Sequence, residues 1–146
     1  MAAVDTRSRP IYHANCHCGS VQITAKILSL AEYPVCDCNC SICTKNGYLL
    51  VYPKREDFKI TAGAESLSQY LFGLKNKPHN FCKLCGTSMF IDFSQSDVES
   101  QREHIALNAR TIVDIEEIMD TLKRNKFDGK RELGPVYEAP TPAKGT

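Results

Sequence analysis

The chain has 146 residues, of which 42% are apolar and 24% charged, and its formal net charge is +1. A chain of this length fits one domain, and folding can remove about 68–70% of the unfolded surface from water. The near-neutral charge excludes a strong overall field directed at nucleic acid or an anionic membrane.

No segment has the features of a membrane span or a secretory signal. The longest apolar run, YLLVY (48–52), is far shorter than the roughly 20 residues that a spanning helix needs. The first ten residues, MAAVDTRSRP, lack the apolar core of a signal peptide. We therefore expect no membrane partner, a location in the cytoplasm or nucleus, and thiols that bind metal or catalyse rather than form disulfides.

Strand patterns dominate the predicted domain, which spans residues 11–133 between polar tails at 1–10 and 134–146. In SVQITAKI (20–27), apolar residues alternate at period 2, which is typical of a strand with one buried face. Five further runs are rich in β-branched or aromatic residues: YLLVYP (48–53), FKIT (58–61), SLSQYLF (66–72), SMFIDF (88–93) and HIALNA (104–109). The predicted fold is mainly β, a compact antiparallel sheet system.

The last predicted element is a short amphipathic helix in VDIEEIMDTLKRNKFDG (113–129). Asp114 and Glu117 have the spacing of a capping box, and Gly129 lies past the predicted end. Apolar residues recur at helical spacing: Ile115, Ile118, Met119 and Leu122. The helix is expected to cover a sheet; binding to a partner is the alternative.

Eight cysteines fall into three clusters, and the most specific is FCKLCGT (81–87). Two thiolates separated by two residues can bind one tetrahedral zinc, and Gly86 permits the tight turn that follows. A redox pair would require a βαβ context, which the sequence lacks. Zinc is therefore the better interpretation of Cys82 and Cys85.

A structural zinc needs two further ligands, and Cys16 and Cys18 supply a second pair before the first predicted strand. Joining the two pairs would close a long loop and so stabilise the fold. His17 lies between these cysteines and is expected to be solvated or hydrogen-bonded rather than a ligand.

The cluster Cys36, Cys38, Cys40 and Cys43 leaves two arrangements open. Cys38, Cys40 and Cys43 form a compact set of three thiols, and catalytic zinc commonly has three protein ligands and an open fourth position. Cys36 has the same parity as Cys38 and Cys40 on an extended chain, so it could close the site to four sulfurs and make it structural.

These motifs resemble those of the glutathione-dependent formaldehyde-activating enzyme family, which includes centromere protein V. The resemblance covers roughly residues 11–125 through C-x-C (16–18), CNCSIC (38–43) and FCKLCGT (81–87), and CNCSICTKNG is similar to the centromere-protein-V branch. It implies a mostly β, Mss4-like domain with two zinc ions per chain. Cys16, Cys18, Cys82 and Cys85 match the structural site; Cys38, Cys40 and Cys43 match the catalytic site; Cys36 lies outside the pattern.

The activity that the resemblance implies is the addition of glutathione, or a related thiol, to formaldehyde or another small aldehyde, which is carbon–sulfur lyase chemistry. A zinc with three thiolates has a formal charge of −1, which favours delivery of a bound thiol over activation of the carbonyl. Lys45, Lys75 and Lys77 could bind the carboxylates of glutathione, or be ordinary surface lysines. His79 and His104 could carry a proton, although nothing in the sequence places them near the zinc.

Two other functions remain as alternatives. One is a zinc-stabilised binding module of the centromere-protein-V type, but the basic segment LKRNKFDGKR (122–131) follows an acidic stretch and has no interleaved aromatic residues, so a nucleic-acid partner is not favoured. The other is a metal buffer, which would place its cysteines in a low-complexity tract rather than in strand-like sequence. The oligomeric state is not predicted.

Overall fold

A computed structural model of the chain describes residues 4–142 and contains ten β-strands and two short α-helices within them. The strands are β1 (Ile11–Asn15), β2 (Gln22–Lys26), β3 (Val35–Cys38), β4 (Leu50–Val51), β5 (Phe58–Ala62), β6 (Leu67–Tyr70), β7 (His79–Cys82), β8 (Ser88–Asp92), β9 (Ile105–Asn108) and β10 (Arg124–Phe127). The helices are α1 (Ser41–Asn46) and α2 (Gly129–Glu132). Residues 1–3 and 143–146, which belong to the two predicted tails, lie outside the described residues.

The strands form two sheets, which confirms the prediction of a mainly β fold. The smaller sheet has the order β1-β2-β5, and the larger has the order β10-β3-β4-β9-β8-β7-β6. Neighbouring strands are antiparallel, except that β10 runs parallel to β3 with Phe127 opposite Cys38. The expected antiparallel system is thus a mixed sheet at one edge.

Side-chain alternation gives the larger sheet two different apolar faces. Val51 and Leu107 pack with Ile23 of the smaller sheet in the main core. Their neighbours along the strands, Leu50 and Ala106, belong to a second apolar cluster. Because successive side chains of a strand point to opposite faces, this second cluster lies on the face of the larger sheet turned away from the main core.

Each of the six predicted strand runs overlaps an observed strand; β5 extends one residue past its predicted run, and the other five observed strands are shorter than predicted. The strands β1, β3, β7 and β10 were not predicted. Three of them border or contain cysteines, where the spacing of sulfur obscures the alternation of apolar residues that identifies a strand.

The predicted amphipathic helix at 113–129 is wrong. One 3-10 turn, Ile115–Glu117, is followed by irregular chain and then by β10. Asp114 has a φ of 64°, so it cannot act as the extended N-cap, and Ile118 leaves helical dihedrals at φ −118° and ψ 5°. The apolar stripe is still used for burial, since Ile115 and Leu122 lie in the main core.

The second half of the predicted helix instead forms strand β10, which pairs with β3. Val35 donates its backbone N–H to the carbonyl oxygen of Lys123 at 2.9 Å, and the following residues continue as the parallel strand β10. Gly129 therefore opens α2 instead of lying past the end of a helix. Within the described part of the chain, no helix combines the length and the apolar character that a membrane span needs.

Candidate metal centres

The first cysteine set consists of Cys16, Cys18, Cys82 and Cys85, whose four Sγ atoms lie within 4.8 Å of one another. Two turns position them. One turn joins β1 to β2 and the other joins β7 to β8, so each sheet contributes one pair of sulfurs.

Glycine makes both turns possible. Gly19 has a φ of 82° and Gly86 a φ of 79°, which L side chains rarely adopt. In the second turn, Gly86 donates its N–H to the carbonyl oxygen of Cys82 at 2.7 Å. The chain thereby reverses within a few residues and directs two sulfurs to the same point.

The spacing of these sulfurs fits a tetrahedral metal ion. Zinc–sulfur bonds of about 2.3 Å at tetrahedral angles place two sulfurs about 3.8 Å apart. The Sγ of Cys18 lies 3.6 Å from that of Cys16 and 3.8 Å from that of Cys82. The donor set and these two distances therefore fit a metal ion bound by four thiolates.

Burial and local donors act in opposite directions on these thiols. Burial raises the pKa of Cys16 to about 11, and this side chain has no exposed surface. The hydroxyl of Thr87, 3.2 Å from the sulfur, lowers the pKa of Cys85 to about 5, and Ser20 similarly lowers the pKa of Cys18. A buried thiolate at Cys16 is costly unless a cation neutralises it, so the set favours a bound metal.

The second cysteine set consists of Cys38, Cys40 and Cys43, whose three Sγ atoms also lie within 4.8 Å of one another. Cys38 ends β3, Cys40 is the N-cap residue of α1, and Cys43 lies in the first turn of that helix. The predicted turn at 40–43 is thus the beginning of a helix. The backbone N–H of Cys40 donates to the Sγ of Cys38 at 3.4 Å.

The pKa values of the thiols in the second set are shifted in opposite directions. A hydrogen bond from the Cys43 thiol lowers the pKa of Cys40 to about 5, and the same contact, together with burial, raises the pKa of Cys43. Cys38 and Cys43 are buried, whereas Cys40 is only partly buried. The least buried residue of the set, Cys40, therefore also carries its most acidic thiol.

Cys36 lies near the second set but is not a member of it. Its side chain is partly buried and packs against the same apolar cluster as Cys38 and Cys43. The group of sulfurs that lie within 4.8 Å of one another does not include Cys36. In this arrangement the second set has three close thiols, not four.

A buried Tyr48–His79 pair lies in the same region. The Tyr48 hydroxyl is 2.9 Å from Nδ1 of His79, and Tyr48 packs in the cluster that contains Cys38 and Cys43. Burial, and then the charge of Lys77, lowers the pKa of His79 to about 4, while burial raises the pKa of Tyr48. Both side chains are therefore neutral near pH 7.

The three lysines that could bind the carboxylates of glutathione have different surroundings in the structure. The Nζ of Lys77 lies 5.9 Å from the ring centroid of Phe93, a member of the cluster that contains Cys38 and Cys43. The Nζ of Lys45, on α1, lies 6.0 Å from the ring centroid of Tyr137. Lys75 is exposed in the loop before β7.

The other two histidines of the sequence analysis lie elsewhere. His17 is exposed, and its backbone N–H donates to the hydroxyl of Thr87 at 3.1 Å. His104 lines a surface groove of about 190 Å³ with Tyr33 and Pro53. A larger groove of about 580 Å³ is lined by Phe58, Phe90 and Asp92, among others. Among the described residues, no cysteine lines either groove, so cavity size does not locate the chemistry here.

Three of the five basic side chains in the segment at 122–131 make local contacts. Lys123 donates to the carbonyl oxygen of Glu32 at 3.2 Å, and Arg124 lies 3.8 Å from the carboxylate of Asp37. Arg131 lies 3.7 Å from the carboxylate of Asp128. These pairs weaken the case for a continuous phosphate-binding surface.

Sequence reasoning missed Tyr48 and Gly129 as neighbours of the second set. Tyr48 shares its parity with Leu50, so alternation could have placed it on the same face as Cys36 and Cys38 once β4 was paired with β3. Gly129 is separated from Cys38 by 91 positions of sequence, and no local pattern joins them.

Comparison with known proteins gives a family for this arrangement. The family model described as glutathione-dependent formaldehyde-activating enzyme matches residues 11–124. A protein from Halomonas elongata, provisionally named a glutathione-dependent formaldehyde-activating enzyme, is 30% identical over 89 residues, which cover 56% of this chain and 55% of that protein. The aligned part thus spans about half the length of this relative.

A solved structure has a similar fold. The crystal structure of a Rhodobacter sphaeroides protein matches with a TM-score of 0.64 at 24% sequence identity, covering 77% of this chain and 99% of that one. At this identity the match supports the fold alone.

Proposed function

The chain belongs to the glutathione-dependent formaldehyde-activating enzyme family, and from this premise we propose that it condenses glutathione with formaldehyde, as a carbon–sulfur lyase, at a zinc held by Cys38, Cys40 and Cys43. The first cysteine set holds a second, structural zinc. The observation that supports this most directly is the pair of sulfur groups, one of four and one of three. Four thiols complete a tetrahedral site, whereas three leave one position for a substrate.

The donor sets fit zinc in both places. In each set the ligands are soft thiols whose sulfurs lie within 4.8 Å of one another, and soft thiolates select zinc over the hard cations magnesium and calcium. When bound by three thiolates, zinc supplies an open position that lowers the pKa of a substrate thiol.

The proposed reaction adds a thiol across a carbonyl group. The sulfur of glutathione forms a bond to the carbon of formaldehyde, the C=O double bond becomes a single bond, and the thiol proton ends on the oxygen. Atoms and charge balance without any oxidant or reductant. The chain must therefore position two small molecules and tolerate a transferred proton.

Neutral groups suit the environment of this site. Three thiolates already contribute three negative charges, and the low pKa of His79 and the raised pKa of Tyr48 keep that pair uncharged. His79 therefore orients the Tyr48 hydroxyl, 2.9 Å away, instead of acting as a strong base. We assign the Tyr48 hydroxyl as a hydrogen-bonding group for the reacting oxygen.

Lys77 is the best candidate for binding a carboxylate of glutathione. Its ammonium lies 5.9 Å from the ring centroid of Phe93, which belongs to the same apolar cluster as Cys38 and Cys43, so it brings a positive charge to the face of the sheet that carries the second set. Lys45, two residues after Cys43, is the second candidate. Binding glutathione at both its thiol and its carboxylate would orient the sulfur toward the aldehyde.

The proposal is tested by magnetisation exchange in NMR between free glutathione and S-(hydroxymethyl)glutathione at equilibrium with formaldehyde. Zinc-loaded protein should speed the exchange, and Cys40→Ser should abolish the increase while the first zinc is retained. Lys77→Ala should raise the glutathione concentration needed for half-maximal rate. Exchange no faster with the zinc-loaded protein than with buffered zinc alone would contradict the proposed function.

A further inference from the structure

The C-terminal segment Asp128–Glu132 packs directly on the second cysteine set, although it lies beyond the last residue matched by the family model, 124. Gly129 is buried there. A Cβ atom built on Gly129 would come within 3.0 Å of the Sγ of Cys38, closer than real Cβ atoms come, and 3.2 Å from the Cβ of Cys40. The backbone of Gly129 thus lies against two of the three proposed zinc ligands.

Asn39, between these two ligands, fixes the segment in place. Its Nδ2 donates to the carboxylate of Asp128 at 3.0 Å, and its Oδ1 accepts from the backbone N–H of Lys130 at 2.9 Å. Its own backbone N–H donates to the carbonyl oxygen of Phe127 at 3.1 Å. Three hydrogen bonds from one residue therefore hold the segment on both sides of Gly129.

From these contacts we infer that Gly129 is a positioning residue for the second zinc. The absence of a side chain at Gly129 gives the Cys38 sulfur the space it needs to reach the metal. The three hydrogen bonds of Asn39 keep the segment over the site. The inference rests on the proposed function, since it requires a metal at the second set. It extends the site by a segment from the other end of the sequence, through the parallel pairing of β10 with β3.

Steric exclusion, not backbone conformation, is the reason for glycine here. Gly129 does not have the positive φ of Gly19 or Gly86. It is the first residue of α2, where alanine is favoured over glycine by up to about 1 kcal/mol through helix propensity alone. Gly129→Ala would therefore be neutral or stabilising unless the contact with Cys38 matters.

The test is the rate of zinc release from full-length protein to a chromogenic chelator, with total zinc measured by mass spectrometry. Wild-type protein should hold two zinc ions and release the zinc of the second set first. Gly129→Ala should release that zinc about 10–100-fold faster, as expected when a residue that orients a metal ligand is altered, and the slower zinc should be unaffected. Gly134→Ala is the matched control, because a Cβ there meets no atom within 4 Å.

A second pair of variants decides the matter if Gly129→Ala does not fold. Asp128→Ala removes the acceptor of the Asn39 amide and should also speed the release of zinc from the second set. Asp128→Asn keeps an oxygen acceptor and should restore the slow release. A zinc of the second set that leaves wild type, Gly129→Ala and Asp128→Ala at the same rate would overturn the inference and leave the proposed function intact. Fewer than two zinc ions in the wild type would overturn the proposed function, and the inference with it.

Discussion

Replacing Cys82 with serine should remove the first zinc and with it a large share of the stability of the fold. Cys82 has no exposed surface, and its sulfur is 3.8 Å from that of Cys18, which is 64 positions away along the chain. Cys82 ends β7 of the larger sheet and Cys18 lies in the turn between β1 and β2 of the smaller sheet, so a metal between them would join the two sheets. Without it, the apolar core between the sheets and a few hydrogen bonds, such as the one from the His17 N–H to the Thr87 hydroxyl, resist their separation.

The entropy of loop closure gives the size of the expected loss in the free energy of unfolding. A cross-link that closes a loop of about 64 residues lowers the entropy of the unfolded chain by an amount worth about 4 kcal/mol at 25 °C in the chain-entropy model. The second set closes a loop of only about five residues between Cys38 and Cys43, worth about 2 kcal/mol in the same model. A domain of ordinary stability has about 5–15 kcal/mol in total, so loss of the first zinc removes a major fraction.

Thermal denaturation of zinc-loaded protein measures the difference. Cys43→Ser is the matched control, because Cys43 is also buried, at 6% exposure, and the substitution likewise replaces a sulfur with an oxygen. Cys82→Ser should lower the melting temperature by roughly 10–15 °C and Cys43→Ser by about half as much, at about 2–4 °C per kcal/mol for a chain of this size. A Cys82→Ser protein that melts within about 2 °C of the wild type, or that is no less stable than Cys43→Ser, would show that the first cysteine set does not cross-link the two sheets.

Three further predictions concern the second set and its surroundings. Titration with a chelator should remove about one zinc equivalent before the other, with the far-ultraviolet circular dichroism unchanged after the first loss, because three thiolates hold zinc less firmly than four; simultaneous release with unfolding would argue against two separate sites. Cys36→Ser should keep the zinc content near two per chain, whereas Cys40→Ser should lose one zinc, and an equal loss in both variants would make Cys36 a ligand. Because the pKa of the folded-state His79 is about 4, below its usual 6.5, the unfolded chain binds a proton that the folded chain does not between these values, and the free energy of unfolding should fall by up to about 3 kcal/mol as the pH drops from 6.5 to 4. Urea denaturation across this range should show a smaller pH dependence for His79→Gln than for wild type, and an identical dependence would contradict the burial argument.

The ligand candidates were accessible from sequence because cysteine pairs carry their geometry locally. A C-x-C or C-x-x-C motif limits two sulfurs to one small volume whatever the rest of the chain does, and Gly19 and Gly86 mark the turns that complete this. The strands at 20–27 and 88–93 were accessible for a similar reason, since alternation at period 2 is a local pattern.

The helix at 113–129 shows where local patterns fail. Ile115 and Leu122 are spaced as in a helix, yet they reach the main core from a 3-10 turn and irregular chain, because the backbone after Leu122 is required for the parallel strand β10. Hydrogen bonding to a distant strand can outweigh a helical pattern of this length. The contact of Gly129 with Cys38 depends on that same pairing and therefore could not be predicted from the sequence.

The surroundings of the second set depended on long-range contacts in the same way. Tyr48 and His79 are 31 positions apart and meet only because β4, β9, β8 and β7 are neighbours in the larger sheet. No spacing rule relates them. The four-sulfur set is different, since two turn motifs each supplied half of it and only their meeting had to be inferred.

We propose that the second cysteine set is an open zinc site with three protein sulfurs. Its most direct test is a crystal structure of the zinc-loaded protein with glutathione, with the zinc positions located by anomalous scattering. We expect two zinc ions per chain, the second about 2.3 Å from the sulfurs of Cys38, Cys40 and Cys43 and from the sulfur of glutathione. A second zinc bound by Cys36 as its fourth ligand, with glutathione excluded, would contradict it.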